Sequence, residues 1–317
     1  MTLLFSDTLF QRHDTGRHPE KPARLVVIQN RLENAGLVAQ CKKGAYTPLR
    51  ADDVCEIHAS DVVAKVRQLA EAGGGWLEAD TFVCPESYEV ALAAAGACVA
   101  GVDQVLRGID RTALCLTRPP GHHATPGRSM GFCLFNNIAL AAHHARTRFG
   151  LDRILIVDWD VHHGNGTQDI FWADPTVHFL SVHRFGHGFY PGSGDADETG
   201  SGPGLGFTTN VPVTFGIPRP DYLALFRNAV ETAADKIKPN LILLSAGFDA
   251  HVRDPIGSLG LETEDFADMT RTLLTIADTH AQGRLVSCLE GGYNLEALAE
   301  SVQAHLQELV DHRHAPG

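Results

Sequence analysis

The chain has 317 residues, 44% of them hydrophobic, enough to bury a large core; its formal net charge of −12 argues against nucleic acid or another anionic partner. Its first 14 residues lack a basic segment, and Asp7 and Arg12 interrupt the apolar stretch before a signal-type run can form. No apolar run approaches the roughly 20 residues of a membrane span, so a soluble cytoplasmic protein with no membrane partner is expected.

Taken in chain order, short and nearly continuous apolar runs at 3–6, 113–117, 153–160, 177–182, 241–245 and 284–289 predict strands covered on both faces. Helical patterns at 22–35, 60–72, 87–106, 137–149, 221–236, 263–280 and 295–312 alternate with them. Alternation of this kind predicts an α/β chain with one mainly parallel, doubly wound sheet. The glycine-rich stretches at 73–75 and 186–206 lie inside the alternating pattern and read as loops, so residues 1–317 form one expected domain. Seven cysteines, scattered and without a CxxC pair, argue against a disulfide framework or a cysteine-held metal. Cys115 and Cys288, inside apolar runs, read as buried strand packing.

In open α/β sheets chemistry gathers beyond the carboxyl ends of the strands. The run at 153–160 leads into Trp159-Asp160-Val161-His162-His163-Gly164-Asn165, and alternation puts Asp158, Asp160 and His162 on one side of an extended segment. Converging carboxylates are costly without a cation, which points to a metal. The run at 241–245 adds Asp249, and an Asp, His, Asp set leaves a fourth position open for water, as in a catalytic zinc site. The plain alternative is that Asp158 and Asp160 cap a helix starting near Asn165. Arg118-Pro-Pro-Gly-His122-His123 follows the run at 113–117 and supplies two imidazoles for proton transfer. A second pair, His143 and His144, lies in a helical pattern away from any strand end and reads as surface or packing. Glu290-Gly291-Gly292-Tyr293-Asn294 closes the set with a tyrosine placed to meet a developing oxyanion.

Together RPPGHHA, DWDVHHGNGTQ, SAGFDAH, EGGYN and the opening GRHPEKPARL resemble, in order and spacing, the motifs of the histone deacetylase family, on its class II side. The resemblance implies a three-layer arginase/deacetylase fold and a zinc-dependent amidohydrolase that removes acyl groups from lysine or another acylated amine. It implies zinc on Asp160, His162 and Asp249, His122 and His123 as the proton-transfer pair, and Tyr293 as the group that polarises the carbonyl. Asp158 matches the family's buried partner of the first histidine. It also matches a ligand of a structural potassium, with the carbonyls of Asp160, His162 and Val182 and the region of Ser181. Asn165 stands where class I enzymes tend to have Asp, so His123 is expected to titrate lower than beside a carboxylate. Gly131, Phe132, Tyr190, Ile256, Gly291 and Gly292 match substrate-contacting positions, and Tyr190 stands where animal enzymes usually have Phe. Ile256 occupies a rim position that polyamine-type relatives fill with an acid, which favours lysine over polyamines. Gly247 replaces the aspartate that a two-manganese ureohydrolase of the same fold needs. A scaffold without turnover would be expected to lack a ligand or the tyrosine, and none is missing. A homo-oligomer is compatible with the sequence.

Overall fold

A computed structural model describes residues 1–186 and 188–312. Its main sheet has eight parallel strands: β1 Leu3–Ser6, β2 Lys42–Lys43, β5 Thr112–Leu116, β6 Ile154–Asp158, β7 Val177–Arg184, β8 Thr208–Val213, β9 Leu241–Ala246 and β10 Leu285–Leu289. Their order is β2-β1-β5-β10-β9-β6-β7-β8. A separate hairpin pairs β3 Gly75–Trp76 with β4 Phe82–Val83. The helices are α1 Ala23–Asn34, α2 Ala51–Val54, α3 Ser60–Glu71, α4 Ser87–Leu106, α5 Asn137–Phe149, α6 Asn165–Phe171, α7 Arg219–Ile237, α8 Thr263–His280 and α9 Leu295–Asp311.

Adjacent residues of β10 show how the layers form. Val286 faces Gly101 of α4, whereas the Ser287 hydroxyl bonds His305 of α9 at 3.0 Å on the opposite face. Helices α1, α9, α8 and α7 lie side by side in a row, and α4 pairs with α5. A parallel sheet sandwiched in this way has no solvent face, which is why β5, β6, β9 and β10 are apolar almost throughout and fully buried.

Several boundaries depart from expectation. Strand β6 stops at Asp158 rather than continuing to Asp160, because the chain turns there to bring successive side chains into the site. Strand β8 was not expected; it is an edge strand of mixed polarity containing Pro212, which an edge tolerates. The two-residue strands carry too little pattern to read. Helix α4 corrects the expectation about apolar runs: its 20 residues are long and apolar enough to cross a membrane, yet most of its apolar window is buried inside the protein. All seven cysteines are free, and Cys115 and Cys288 are fully buried.

Candidate active site

Four strand ends build the site at the carboxyl edge of β5, β10, β9 and β6, which are neighbours in the sheet. Beyond β6, Trp159 turns inward against Phe226, Phe248, Phe266 and His305, with ring centroids 5.5–6.2 Å away. That anchor fixes the flanking Asp158 and Asp160. Asp160 Oδ1 accepts the His162 N–H at 2.9 Å and lies 3.0 Å from His162 Nδ1. Its Oδ2 accepts the Gly291 N–H at 2.9 Å. From the end of β9, Asp249 Oδ1 accepts the Val161 N–H at 2.9 Å. Asp249 Oδ2 is buried and, among the described residues, makes no hydrogen bond, although it lies 3.2 Å from His162 Nδ1.

The ligand atoms of Asp160, His162 and Asp249 thus lie within 4.8 Å of one another in a buried cluster. An orphaned carboxylate oxygen facing a second carboxylate and an imidazole suits a divalent cation, which would neutralise charge that burial otherwise penalises. Burial first, then the charge of Asp160, pushes the Asp249 carboxyl up to about 7. Glycines make this convergence possible. A Cβ on Gly247 would collide with the Asp160 carboxylate, and one on Gly291 would stand 2.5 Å from Asp160 Oδ2.

Asp158 does not join the cluster. Its Oδ2 lies 2.9 Å from His122 Nδ1, while Oδ1 accepts the Asp160 N–H at 3.1 Å. Neither Asp158 nor Asp160 caps α6, whose first turn follows Gly164 with no side-chain cap. His123 Nδ1 lies 2.7 Å from Asn165 Oδ1, and the two histidine rings are 4.0 Å apart. Their Nδ1 atoms are occupied, leaving Nε2 of each for exchange with a substrate. The environments split the pair. Burial opposes charge on His122, but the Asp158 and Asp160 carboxylates outweigh it and hold the imidazole well above its usual range. Burial lowers His123, and the neighbouring His122 and His162 lower it further.

Tyr293 follows Gly292, whose φ of +121° suits glycine. Its backbone N–H donates to Asp254 Oδ2 at 2.7 Å, and its ring lies 5.7 Å from Phe132. Burial, then the Asp249 and Asp160 charges, keeps the phenol protonated. Phe132, at φ +69°, stands on one side, and Tyr190 meets His123 edge-on at 5.0 Å on the other. A Cβ at Gly131 would come within 2.8 Å of the Tyr190 hydroxyl, so this wall also depends on a glycine. The half-buried Ile256 sits beside Gly257, whose carbonyl accepts from Arg184; Arg184 in turn lies 4.4 Å over the Phe189 ring. Ser181 is the register partner of Asp158, and Val182 follows it in β7. His143 and His144 lie elsewhere, in a surface groove with Arg50 and Glu56.

Several residues of this site were given no role of their own from sequence. Glu290 accepts the Gly121 and His122 N–H groups at 2.7 and 3.2 Å, fixing the tandem-histidine turn. Asp254 accepts four backbone N–H groups, from Ile256, Gly257, Tyr293 and Asn294. Buried Glu20 pairs with Arg24 at 3.0 Å and accepts from Nε and Nη2 of Arg118 with its two oxygens, and Arg24 donates to the Glu290 and Gly292 carbonyls. Glu20 lies before α1 begins, and its distant partner Arg118 carries no sequence signal.

Comparison with known proteins agrees with this architecture. The chain matches the histone deacetylase domain over residues 18–309. It belongs to the histone deacetylase family. Human "Polyamine deacetylase HDAC10" is 41% identical over 301 residues, covering 92% of this chain and 44% of that protein. A "Histone deacetylase-like amidohydrolase" of Pseudomonas aeruginosa is 38% identical over 277 residues, 87% of this chain and 73% of the relative. The crystal structure of the HDA15 HD domain superposes with a TM-score of 0.93 at 35% identity, covering 100% of this chain and 90% of that one. The chain thus spans less than half of the human relative and most of the bacterial one.

Proposed function

We propose that this family member is a zinc-dependent lysine deacylase that removes acetyl or other acyl groups from the ε-amine. The observation that carries the reading is the orphaned Asp249 Oδ2 converging with Asp160 and His162 beneath the tandem histidines. Two oxygens and one nitrogen from three residues suit a single zinc with an open position. Bound there, the ion supplies a Lewis acid for the amide oxygen and acidifies a water. His123, kept neutral, takes a proton at Nε2, and His122, kept charged beside Asp158, returns one to the departing amine. The Tyr293 hydroxyl donates to the oxygen on which negative charge develops.

We also propose a structural potassium beside this site. Asp160 and His162 are buried, and among the described residues their carbonyls accept no hydrogen bond, which suits a cation shared with Asp158, Ser181 and Val182. One observation bears on the ureohydrolase alternative. The position of Gly247 has no room for the extra carboxylate of a second metal, which supports one catalytic ion.

For the substrate, the name of the human relative speaks for acetylated polyamines and the apolar Ile256 for lysine. A panel of acetyl-lysine peptides and acetylated polyamines, assayed with and without a chelator, tests the reading. Chelator-sensitive hydrolysis with higher kcat/KM on the peptides supports it; equal or better turnover of polyamines overturns the lysine assignment.

A further inference from the structure

The β3–β4 hairpin lies outside the catalytic motifs, yet it is built against Phe132. Its turn closes with the Leu77 N–H donating to the Thr81 carbonyl at 2.9 Å, and the Thr81 hydroxyl accepts the Phe132 N–H at 3.1 Å. The hairpin carries Trp76, whose side chain is 57% exposed, an unusual state for so large an apolar group. Trp76 is not isolated. Its ring lies 5.0 Å from Phe82 and 6.2 Å from His18; His18 meets Phe132 edge-on at 4.4 Å, and Phe132 meets Tyr293 at 5.7 Å. A line of contacting rings therefore leads from the catalytic tyrosine to an open indole face.

The surrounding charge selects what that face can hold. Glu78 and Asp80 lie on the same turn, and their charges add to burial in keeping the Tyr190 phenol protonated. Glu78 is neutralised by Arg128 at 2.6 Å, whereas Asp80 accepts the adjacent Thr81 hydroxyl and, among the described residues, forms no ion pair. An exposed indole on the same hairpin as the Asp80 carboxylate, on a chain of net charge −12, attracts a cation.

We propose that Trp76, aided by Asp80, forms a subsite for the Lys or Arg side chain that flanks the acylated lysine in a basic peptide. This rests on the lysine-deacylase reading. The acyl-lysine occupies the channel between Phe132 and Tyr190, and the flanking cation lies over the indole outside the mouth. An exposed cation–π contact with a nearby carboxylate corresponds to about a three- to tenfold preference.

Matched acetyl-lysine peptides with Arg, Ala or Glu at the neighbouring positions test the subsite in wild type, Trp76→Ala, Trp76→Phe and Asp80→Asn. Wild type is expected to favour the Arg peptide over the Ala peptide through KM. Trp76→Ala should erase the preference with kcat on the Ala peptide retained, and Trp76→Phe should keep part of it. Binding of the already deacetylated Arg peptide provides a readout without turnover: it should quench tryptophan fluorescence in wild type and not in Trp76→Phe, where buried Trp159 and half-buried Trp172 remain. An unchanged preference in Trp76→Ala overturns the proposal. So does a preference for Glu, which would put Arg17 and Arg128 in control of the mouth, or a loss confined to acetylated polyamines. If no peptide is hydrolysed at all, the lysine-deacylase reading fails, and the quenching result still decides the subsite by itself.

Discussion

Replacing Asp249 with Asn separates the charge of this group from its shape. The amide oxygen still accepts the Val161 N–H, but the negative charge facing Asp160 is gone. In metal-free protein, burial and Asp160 raise the Asp249 carboxyl from 3.8 to about 7. A carboxyl raised on folding binds its proton more tightly in the folded state, so stability falls as the pH climbs from about 4 to about 7. At 1.36 kcal/mol for each pH unit the whole interval corresponds to roughly 4 kcal/mol. The Asn variant has no such ionisation. With chelator at about pH 8 it should therefore be more stable than wild type by a few kcal/mol, and near pH 4 the difference should vanish. Zinc should reverse the order: ligand at a thousandfold excess over Kd stabilises by about 4 kcal/mol, and only wild type should bind well enough to gain it. Guanidinium unfolding at both pH values, with chelator and with zinc, measures all four states. The reasoning is refuted if metal-free Asp249→Asn is no more stable than wild type at the higher pH, or if zinc stabilises both equally.

Tyr293→Phe should leave zinc content unchanged and lower kcat by roughly a hundred- to a thousandfold, the usual cost of removing one oxyanion donor; a fully active variant would refute the assigned role. Gly291→Ala drives a methyl against the Asp160 and Asp249 carboxylates. It should weaken zinc binding at least tenfold, read by competition with a chelating dye, and wild-type affinity would contradict the packing described. Glu20→Gln leaves Arg24 and Arg118 buried without their shared carboxylate, and should cost about 3–5 kcal/mol in chemical unfolding. A loss below about 1 kcal/mol would show that carbonyl contacts suffice for both guanidinium groups.

Much of this arrangement was readable because function and fold share the same segments. Strands β5, β6, β9 and β10 are buried on both faces, so their sequences are apolar runs, and the polar residues that follow each run stand out as site candidates. Asp158 marks where that logic ended. Alternation grouped it with Asp160 and His162, but the chain leaves the strand at Asp158, whose carboxylate turns to His122. Glu290 and Asp254 were hidden for another reason. Each acts by accepting backbone N–H groups from chain segments that only the fold brings near, and a backbone donor carries no sequence signature. The mouth was hardest to read, since β3 and β4 have two residues each and periodicity needs more.

Zinc stoichiometry tests the central claim most directly. Protein dialysed against trace zinc should hold about one ion per chain by plasma mass spectrometry, lose it with deacetylase activity on chelation, and recover both with one equivalent. An active protein that holds no ion, or a second tightly held ion required for turnover, would contradict the account.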